Sequence, residues 1–373
     1  MKFVFVFGNT PQLSLSELKS ASPQTTLLSV SLLEYTGALV EMTAEQAMLI
    51  AEKLGGTVKL IQLDRQLEEI TPVTLADYLL STDTNQKISF GLSSLNDPDL
   101  KVNQLSRDIK RELQDRDIKA RFVMPQEGSQ LSSVVISKQK VVELAVYKWQ
   151  NFYLVGKTVW VQDFQEWNRR DYGRPQASGH IGMLPLKVAR MMVNLAQVKK
   201  GGTILDPYCG VGTVLAEAMV LGYRVFGSDL DAGQVEKTRK NLEWLGAEYN
   251  LKFKLQVGDA RNVSNILNEK VAAVVTEPDL GPNDLRPQYA PDVQNRLISL
   301  YTGSLADWKR ILEPLGTVVI ALPKLVNDGS IVQAVIDKAE AMGYSLHVHP
   351  VDYFRPGAKV RRSIAIFKLK DKN

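Results

Sequence analysis

The stretch Thr203-Ile-Leu-Asp206-Pro-Tyr-Cys-Gly210-Val-Gly212-Thr213, running through Val214–Leu221 into Gly222-Tyr-Arg-Val-Phe-Gly-Ser-Asp229-Leu-Asp231, decides how this chain reads. A short apolar run ends in an acid, Asp206. A turn built on Gly210 and Gly212 follows, then a helical pattern from Thr213, then a second β-type run ending in Asp229. Strand, tight loop, helix, strand is the opening unit of a doubly wound α/β domain. Its glycines let the loop backbone approach a ligand, and its helix offers free N–H groups at the N-terminus. An acid about 20 residues past the loop is placed to bond a ribose hydroxyl.

Two cofactor classes use such a unit. A dinucleotide site has the pattern G-x-G-x-x-G, but Thr213-Val214-Leu215 follow Gly212, so the third glycine is missing. Asp206 would also repel a pyrophosphate. It suits a cationic ligand, such as the sulfonium and ammonium of S-adenosyl-L-methionine. On this reading Pro207, Gly210, Gly212 and Thr213 pass the methionine part and Asp206 bonds its amino group. Asp229 bonds the ribose, and Asp259 with Ala260, after the third strand, meets the adenine. Plainer roles stay open: Asp206 as a cap on its own turn, and Asp259 as a turn aspartate. Asp231 competes with Asp229 but could instead cap the next helix. Cys209 lies in the loop, not in a Pro-Cys pair beyond the fourth strand as in cytosine-C5 methylation, so it reads as a packing residue.

At 373 residues the chain is long for one domain and suggests two or three. No apolar run nears the ~18 residues that would span a bilayer, so no membrane partner is expected. Met1–Phe7 reads as a first strand rather than a signal peptide, and one cysteine excludes an internal disulfide framework. The expected location is the cytoplasm. Three histidines and one cysteine leave no metal-ligand cluster to expect. A net charge of +4 permits a polyanionic partner without requiring one.

Residues 1–66 read as a small α+β unit. A helix opens near Ser14 with Ser14–Glu17 as a capping box, and a second helix is capped by Thr43. Residues 67–160 read as a second α+β unit, with a basic helix over Leu100–Leu113 and strands that include Val134–Ile136. Basic and aromatic residues interleave there (Arg116, Arg121, Lys148, Trp149, Tyr153), as on a nucleic-acid surface. Acids such as Asp108 and Glu112 are mixed in, so ordinary solvated faces fit as well. A linker, 161–183, gathers Arg169, Arg170 and Arg174 beside Trp167 and Tyr172; these three arginines are the expected substrate-binding cations. Gly173, Pro175, Gly179 and Gly182 then break regular structure. From 184 to 373 strands alternate with helices, with strands near Thr203, Tyr223, Phe253, Val271, Gly316, Ser345 and Ile364, which predicts a seven-stranded, mostly parallel, Rossmann-like sheet.

The fourth of these strands ends in Thr276-Glu277-Pro278-Asp279-Leu280-Gly281-Pro282, the expected edge of an acceptor pocket. An exocyclic amine has its lone pair delocalised into the ring. A carboxylate oxygen and a backbone carbonyl that accept both N–H bonds draw the lone pair out. Glu277 and the Pro278 carbonyl are the expected catalytic pair, and Asp279 and Gly281 the expected substrate contacts. A simple strand-end turn is the plainer reading.

At these residues the chain resembles the THUMP-containing tRNA guanosine-N2 methyltransferases that act on position 10. The likeness is carried by Gly8-Asn9-x-Pro11-x-Leu13-Ser14-Leu15-x-Glu17-Leu18, by Leu131-Ser132-Ser133-Val134, and by Gly156-Lys157-Thr158-Val159-x-Val161-Gln162-Asp163. Arg170-Asp171-Tyr172-Gly173-Arg174-Pro175, Gly182-Met183-Leu184-Pro185 with its following helix, and the cofactor loop complete it. The resemblance implies a class I methyltransferase domain using S-adenosyl-L-methionine, preceded by a ferredoxin-like domain and a THUMP region that grips the tRNA acceptor end. It implies a guanine flipped into the pocket. It also raises a small activating protein subunit, on which no residue reports. One departure stands out: the family has D-P-P-Y or a close variant where this chain has Glu277-Pro278-Asp279-Leu280. The stacking aromatic is absent from Leu280, with Tyr289 as a substitute. Amine methylation of DNA, and tRNA binding without catalysis, are the competing functions.

Overall fold

The computed structural model describes residues 1–22, 26–32, 36–82, 87–126, 128–176, 183–249, 252–282, 290–325, 330–354 and 360–371. The chain divides into two compact units, Met1–Phe164 and Gln165–Asn373.

In the first unit β1 (Lys2–Phe7) alternates Phe with Val, and both faces are buried. Phe3, Phe5 and Phe7 pack with Leu18 of α1 (Pro11–Ala21) and with Ala47 and Ala51 of α2 (Ala44–Lys53). Val4 and Val6 pack on the opposite face with residues of β4 (Thr57–Leu67) and β7 (Val142–Trp149). With β2 (Thr26–Leu32), β3 (Thr36–Glu41), β5 (Lys87–Ser94), β6 (Lys119–Phe122) and β8 (Phe152–Val161) they form one eight-stranded sheet, ordered β2-β3-β1-β4-β8-β7-β5-β6. A further core joins α3 (Pro72–Thr82) and α4 (Val102–Gln114) to β5 and β7 around Phe90 and Ile109. The boundary expected at residue 66 falls at the end of β4. That strand pairs with β1 on one side and β8 on the other, so one sheet runs through both expected domains.

A buried polar hub ties these strands together. Lys59 Nζ donates to Glu143 Oε1 (2.6 Å) and to the Leu131 carbonyl (2.9 Å). Glu143 also accepts from the Ser93 and Thr158 hydroxyls, and the Leu131 N–H donates to Ser93 Oγ. Leu131 and Thr158 belong to the quoted signatures, and both are held here.

Two local expectations are corrected. The first helix begins at Pro11, whose missing N–H costs nothing there. Ser14 therefore lies inside it, and Glu17 accepts the Gly55 and Gly56 N–H groups (2.8 and 2.9 Å) instead of closing a capping box. Val134–Ile136 lies in a helix, α5 (Ser133–Gln139), because the Ser132 side chain caps it by accepting from the Val135 N–H. The cap at Thr43 is as expected and is reciprocated by Gln46.

In the second unit the expected connector holds a helix, α6 (Phe164–Tyr172), followed by α7 (Leu186–Leu195). The sheet is ordered β11 (Phe253–Val257), β10 (Arg224–Asp229), β9 (Thr203–Asp206), β12 (Val271–Thr276), β13 (Leu312–Leu325), β15 (Val360–Leu369), β14 (Tyr344–Tyr353). The first five are parallel, and β15 runs antiparallel to both neighbours. All seven expected strands are present. α8 (Thr213–Val220) packs between α7 and α9 (Ala232–Tyr249), while α10 (Ala290–Trp308) packs with α11 (Ser330–Ala341). Trp308 and Tyr301 anchor α10 in the core. Leu312, expected to end that helix, instead opens β13. Strand order reverses beside β9, which puts the ligand crevice of this fold at the carboxyl ends of β9 and β12.

Candidate functional site

Parallel pairing brings four acids to adjacent strand ends: Asp206 on β9, Asp229 on β10, Asp259 just past β11, and Glu277 just past β12. Asp206 is buried. Its Oδ1 accepts from Thr276 Oγ1 (2.6 Å) and from the Tyr208 N–H (3.2 Å). Burial pushes its carboxyl up to about 7; the two hydrogen bonds oppose the rise, and the fields of Asp229 and Glu277 add to it.

This sets a pH dependence of stability. An unfolded aspartate titrates near about 4, below the folded value, so the Asp206 contribution is present below that pH and is lost as pH rises through about 7. An Asp206→Asn variant cannot ionise. It should gain stability relative to the parent at about pH 8.5, and that gain should vanish by about pH 4. Urea melts at the two pH values check this; a gain equal at both would show that the buried charge is not its source.

The loop after β9 is held from β10 and α9. Asp229 Oδ2 accepts the Gly210 N–H (2.9 Å) and Oδ1 the Asp231 N–H (3.0 Å). Thr238 Oγ1 donates to the Gly210 carbonyl (2.7 Å), and Asn241 Nδ2 to the Val211 carbonyl (2.8 Å). Gly210 has φ +52°, and a Cβ there would meet nothing within 4 Å, so the space beside the loop tip is open. Gly212 has φ +85°, and a Cβ there would meet Thr238 Cγ2 at 2.9 Å. Asp231 accepts the Gly233 N–H (2.7 Å) at the start of α9, so it serves as the helix cap. Pro207 is buried behind the loop. Cys209 is buried and accepts a weak bond from Thr238, with burial raising its thiol; it packs.

Arg261 was not anticipated. Its side chain and its own N–H all bond Asp259, and this pairing holds the Asp259 carboxyl below the usual carboxylate range. The Ala260 carbonyl accepts from Trp308 Nε1 (2.9 Å).

Arg362 on β15 is the other unanticipated partner. It is buried, its Nε donates to Glu277 Oε2, and Nη2 donates to Oε1 (3.3 Å). Tyr353 lies under the same guanidinium, 6.0 Å to the ring centre. Pro278 is buried and Asp279 is exposed. Asp279 accepts from the Gly281 N–H and from Arg296, and its carbonyl accepts from Tyr301. Tyr289 lies outside the described residues.

The three linker arginines do not form an exposed cationic patch. Arg170 is buried, with Nε on Glu217 Oε1 (2.9 Å) and Nη1 on Glu166 Oε1 (3.0 Å). Arg174 is buried with Nη1 on Thr213 Oγ1 (3.0 Å). Arg169 is partly exposed, bonded to Glu166 and stacked 5.0 Å over Trp244. The expectation that Arg170 and Arg174 meet a substrate phosphate is therefore corrected: their guanidiniums are turned inward, where phosphates cannot reach. Among the described residues no group of His, Cys, Asp or Glu is arranged to hold a metal ion, and no helix is long and apolar enough to cross a membrane.

Residues 174–328 match a family model described as RMKL-like, methyltransferase domain, and residues 97–240 match one described as DNA methylase. Over 100 residues, 27% of this chain, the sequence is 47% identical to the tRNA (guanine(10)-N2)-dimethyltransferase of Methanothermobacter thermautotrophicus, covering 28% of that protein. Over 185 residues, 49% of this chain, it is 30% identical to the protein of the same name from Pyrococcus abyssi, covering 48% of it. The chain thus spans less than half the length of either relative. Among solved structures, TrmN from Thermus thermophilus aligns over 99% of this chain and 100% of its own, with a TM-score of 0.58 at 15% identity. The fold is shared at that distance, and residues from 165 onward form a Rossmann-like methyltransferase domain.

Proposed function

We propose that this chain transfers a methyl group from S-adenosyl-L-methionine to the exocyclic N2 amine of a tRNA guanosine, at position 10 by likeness to its curated relatives. The observation that carries the reading is the Glu277 carboxylate, held by Arg362 at the end of β12, one residue past the Thr276 hydroxyl that bonds Asp206. The open space at Gly210 and the buried acid at Asp206 fit a cationic nucleoside. When bound, it supplies an electrophilic methyl group on sulfur. Asp206 takes the ammonium, directly or through water, while Asp229, already fixing the loop, keeps lone pairs for the ribose. Asp259 and Ala260 face the adenine, with Asp259 shared between Arg261 and the ligand amine.

The Glu277 carboxylate and the Pro278 carbonyl accept the two N–H bonds of the target amine. Its lone pair is then drawn out of the ring toward the methyl group, and Glu277 takes the proton shed on alkylation. Asp279 and Gly281 line the acceptor side. In this proposal residues 1–66 are a ferredoxin-like domain and 67–160 a THUMP region; together they hold folded RNA so that its shape selects the base.

Tritiated donor with bulk unmodified tRNA should label N2-methyl- or N2,N2-dimethylguanosine. Label confined to adenosine or cytidine would reject the base assignment. The match to a DNA methylase model favours a second reading, amine methylation of DNA. Unlabelled tRNA should compete with the labelled substrate and duplex DNA should not; the reverse order would favour DNA.

A further inference from the structure

Arg174 is 7% exposed. Its Nη1 donates to Thr213 Oγ1, its Nη2 faces Met183 Sδ (3.2 Å), and its buried Nε–H has no partner among the described residues. Thr213 is the first residue of α8. The residue before it, Gly212, has no side chain with which to cap the helix N–H groups. The other two buried guanidiniums nearby, Arg170 and Arg190, each share Glu217, but among the described ion pairs Arg174 has no carboxylate. Burial holds Arg174 below the ordinary arginine range, although the fields of Asp171 and Glu217 work against this. A guanidinium taken out of water without a counter-ion is costly to keep, and a fold retains one where something else supplies the anion. Here the guanidinium and the uncapped N-terminus of α8 converge on the end of the cofactor loop, and both attract negative charge.

We propose that Arg174 and the N-terminus of α8 form the seat for the α-carboxylate of the methyl donor. The inference rests on the donor reading above and assigns the one anionic group of that ligand. The loop then meets a zwitterion at its two ends, with Asp206 before Gly210 taking the ammonium and Arg174 at Thr213 taking the carboxylate. A guanidinium turned inward toward the loop, with one N–H unspent, is placed for a small ligand rather than for RNA.

Calorimetry of S-adenosyl-L-methionine against its decarboxylated form, which lacks only the carboxylate, tests this on the full chain. The parent should prefer the intact donor by about 10- to 100-fold, the usual worth of a charge-assisted hydrogen bond. Arg174→Gln should weaken the intact donor by a similar factor and leave the decarboxylated form within about threefold. Arg174→Lys should recover part of the loss, since it keeps the charge without the fork. Equal affinity of the parent for both compounds overturns the seat and spares the donor reading. A uniform loss of both compounds in Arg174→Gln makes the residue structural and overturns the seat as well. A parent that binds neither compound removes the donor reading and the seat with it.

Discussion

A Glu277→Ala variant should methylate tRNA about 10²- to 10⁴-fold more slowly than the parent at saturating donor, the range removed with a positioned acid–base group. The amine of guanine is a poor nucleophile because its lone pair is conjugated. The carboxylate is the strongest acceptor available at the end of β12 to break that conjugation. Arg362 complicates the experiment. Its guanidinium is buried, and removing Glu277 alone strands it, at a cost of about 3–5 kcal/mol in stability. A fall in activity could then reflect unfolding. The double variant Glu277→Ala with Arg362→Met removes both charges. It should regain most of that stability while staying as inactive as the single variant. Arg362→Met alone keeps the carboxylate but frees its orientation, so its loss should fall between parent and Glu277→Ala. Single-turnover rates on one tRNA, with urea melts of the same preparations, separate the two effects. A stable double variant with near-parent rates would exclude the carboxylate from catalysis.

The part of this site that lies in short stretches was legible in the sequence. Asp206, Asp229, Asp259 and Glu277 each follow an apolar run of strand length, and the glycines at 210 and 212 mark the turn; all are signals spanning a few residues. The partners were not legible. Thr276 meets Asp206 from 70 residues away, and Arg362 meets Glu277 from 85. No periodicity connects such positions, because strand order rather than chain order brings them together. One clue was available. Arg362 interrupts an otherwise apolar final strand, and a charge inside a buried strand requires a partner. The linker arginines failed for the opposite reason. Arginines clustered with aromatic residues look the same in sequence whether they face RNA or a buried glutamate, and only Glu217, on the next helix but one, decides between them. The strand expected at Val134–Ile136 shows β-branched residues overridden by a single capping serine.

Glu217 should be among the least replaceable side chains of the second unit. It is fully buried on α8, with one oxygen on Arg170 of α6 and the other on Arg190 of α7 (2.6–2.9 Å). Trp167 lies against the same cluster, with the Arg170, Arg190 and Lys187 cations 4.6, 5.4 and 5.5 Å from its ring centre. One carboxylate therefore neutralises two buried guanidiniums, and Glu217→Leu leaves both uncompensated. The expected loss is at least the about 3–5 kcal/mol of a single broken buried pair, a large share of a domain's total stability. Tryptophan fluorescence in a urea titration should report it through Trp167. If charge balance is the cause, the triple variant Glu217→Leu, Arg170→Leu, Arg190→Met should be more stable than Glu217→Leu alone, since an apolar replacement of a whole buried network is often tolerated. If packing of the acid side chain were the cause, the triple variant would be the worse of the two. The cluster also joins α6 and α7 to the helix whose first turn closes the cofactor loop. Donor affinity should therefore fall in Glu217→Leu and return in the triple variant only as far as α8 regains its position.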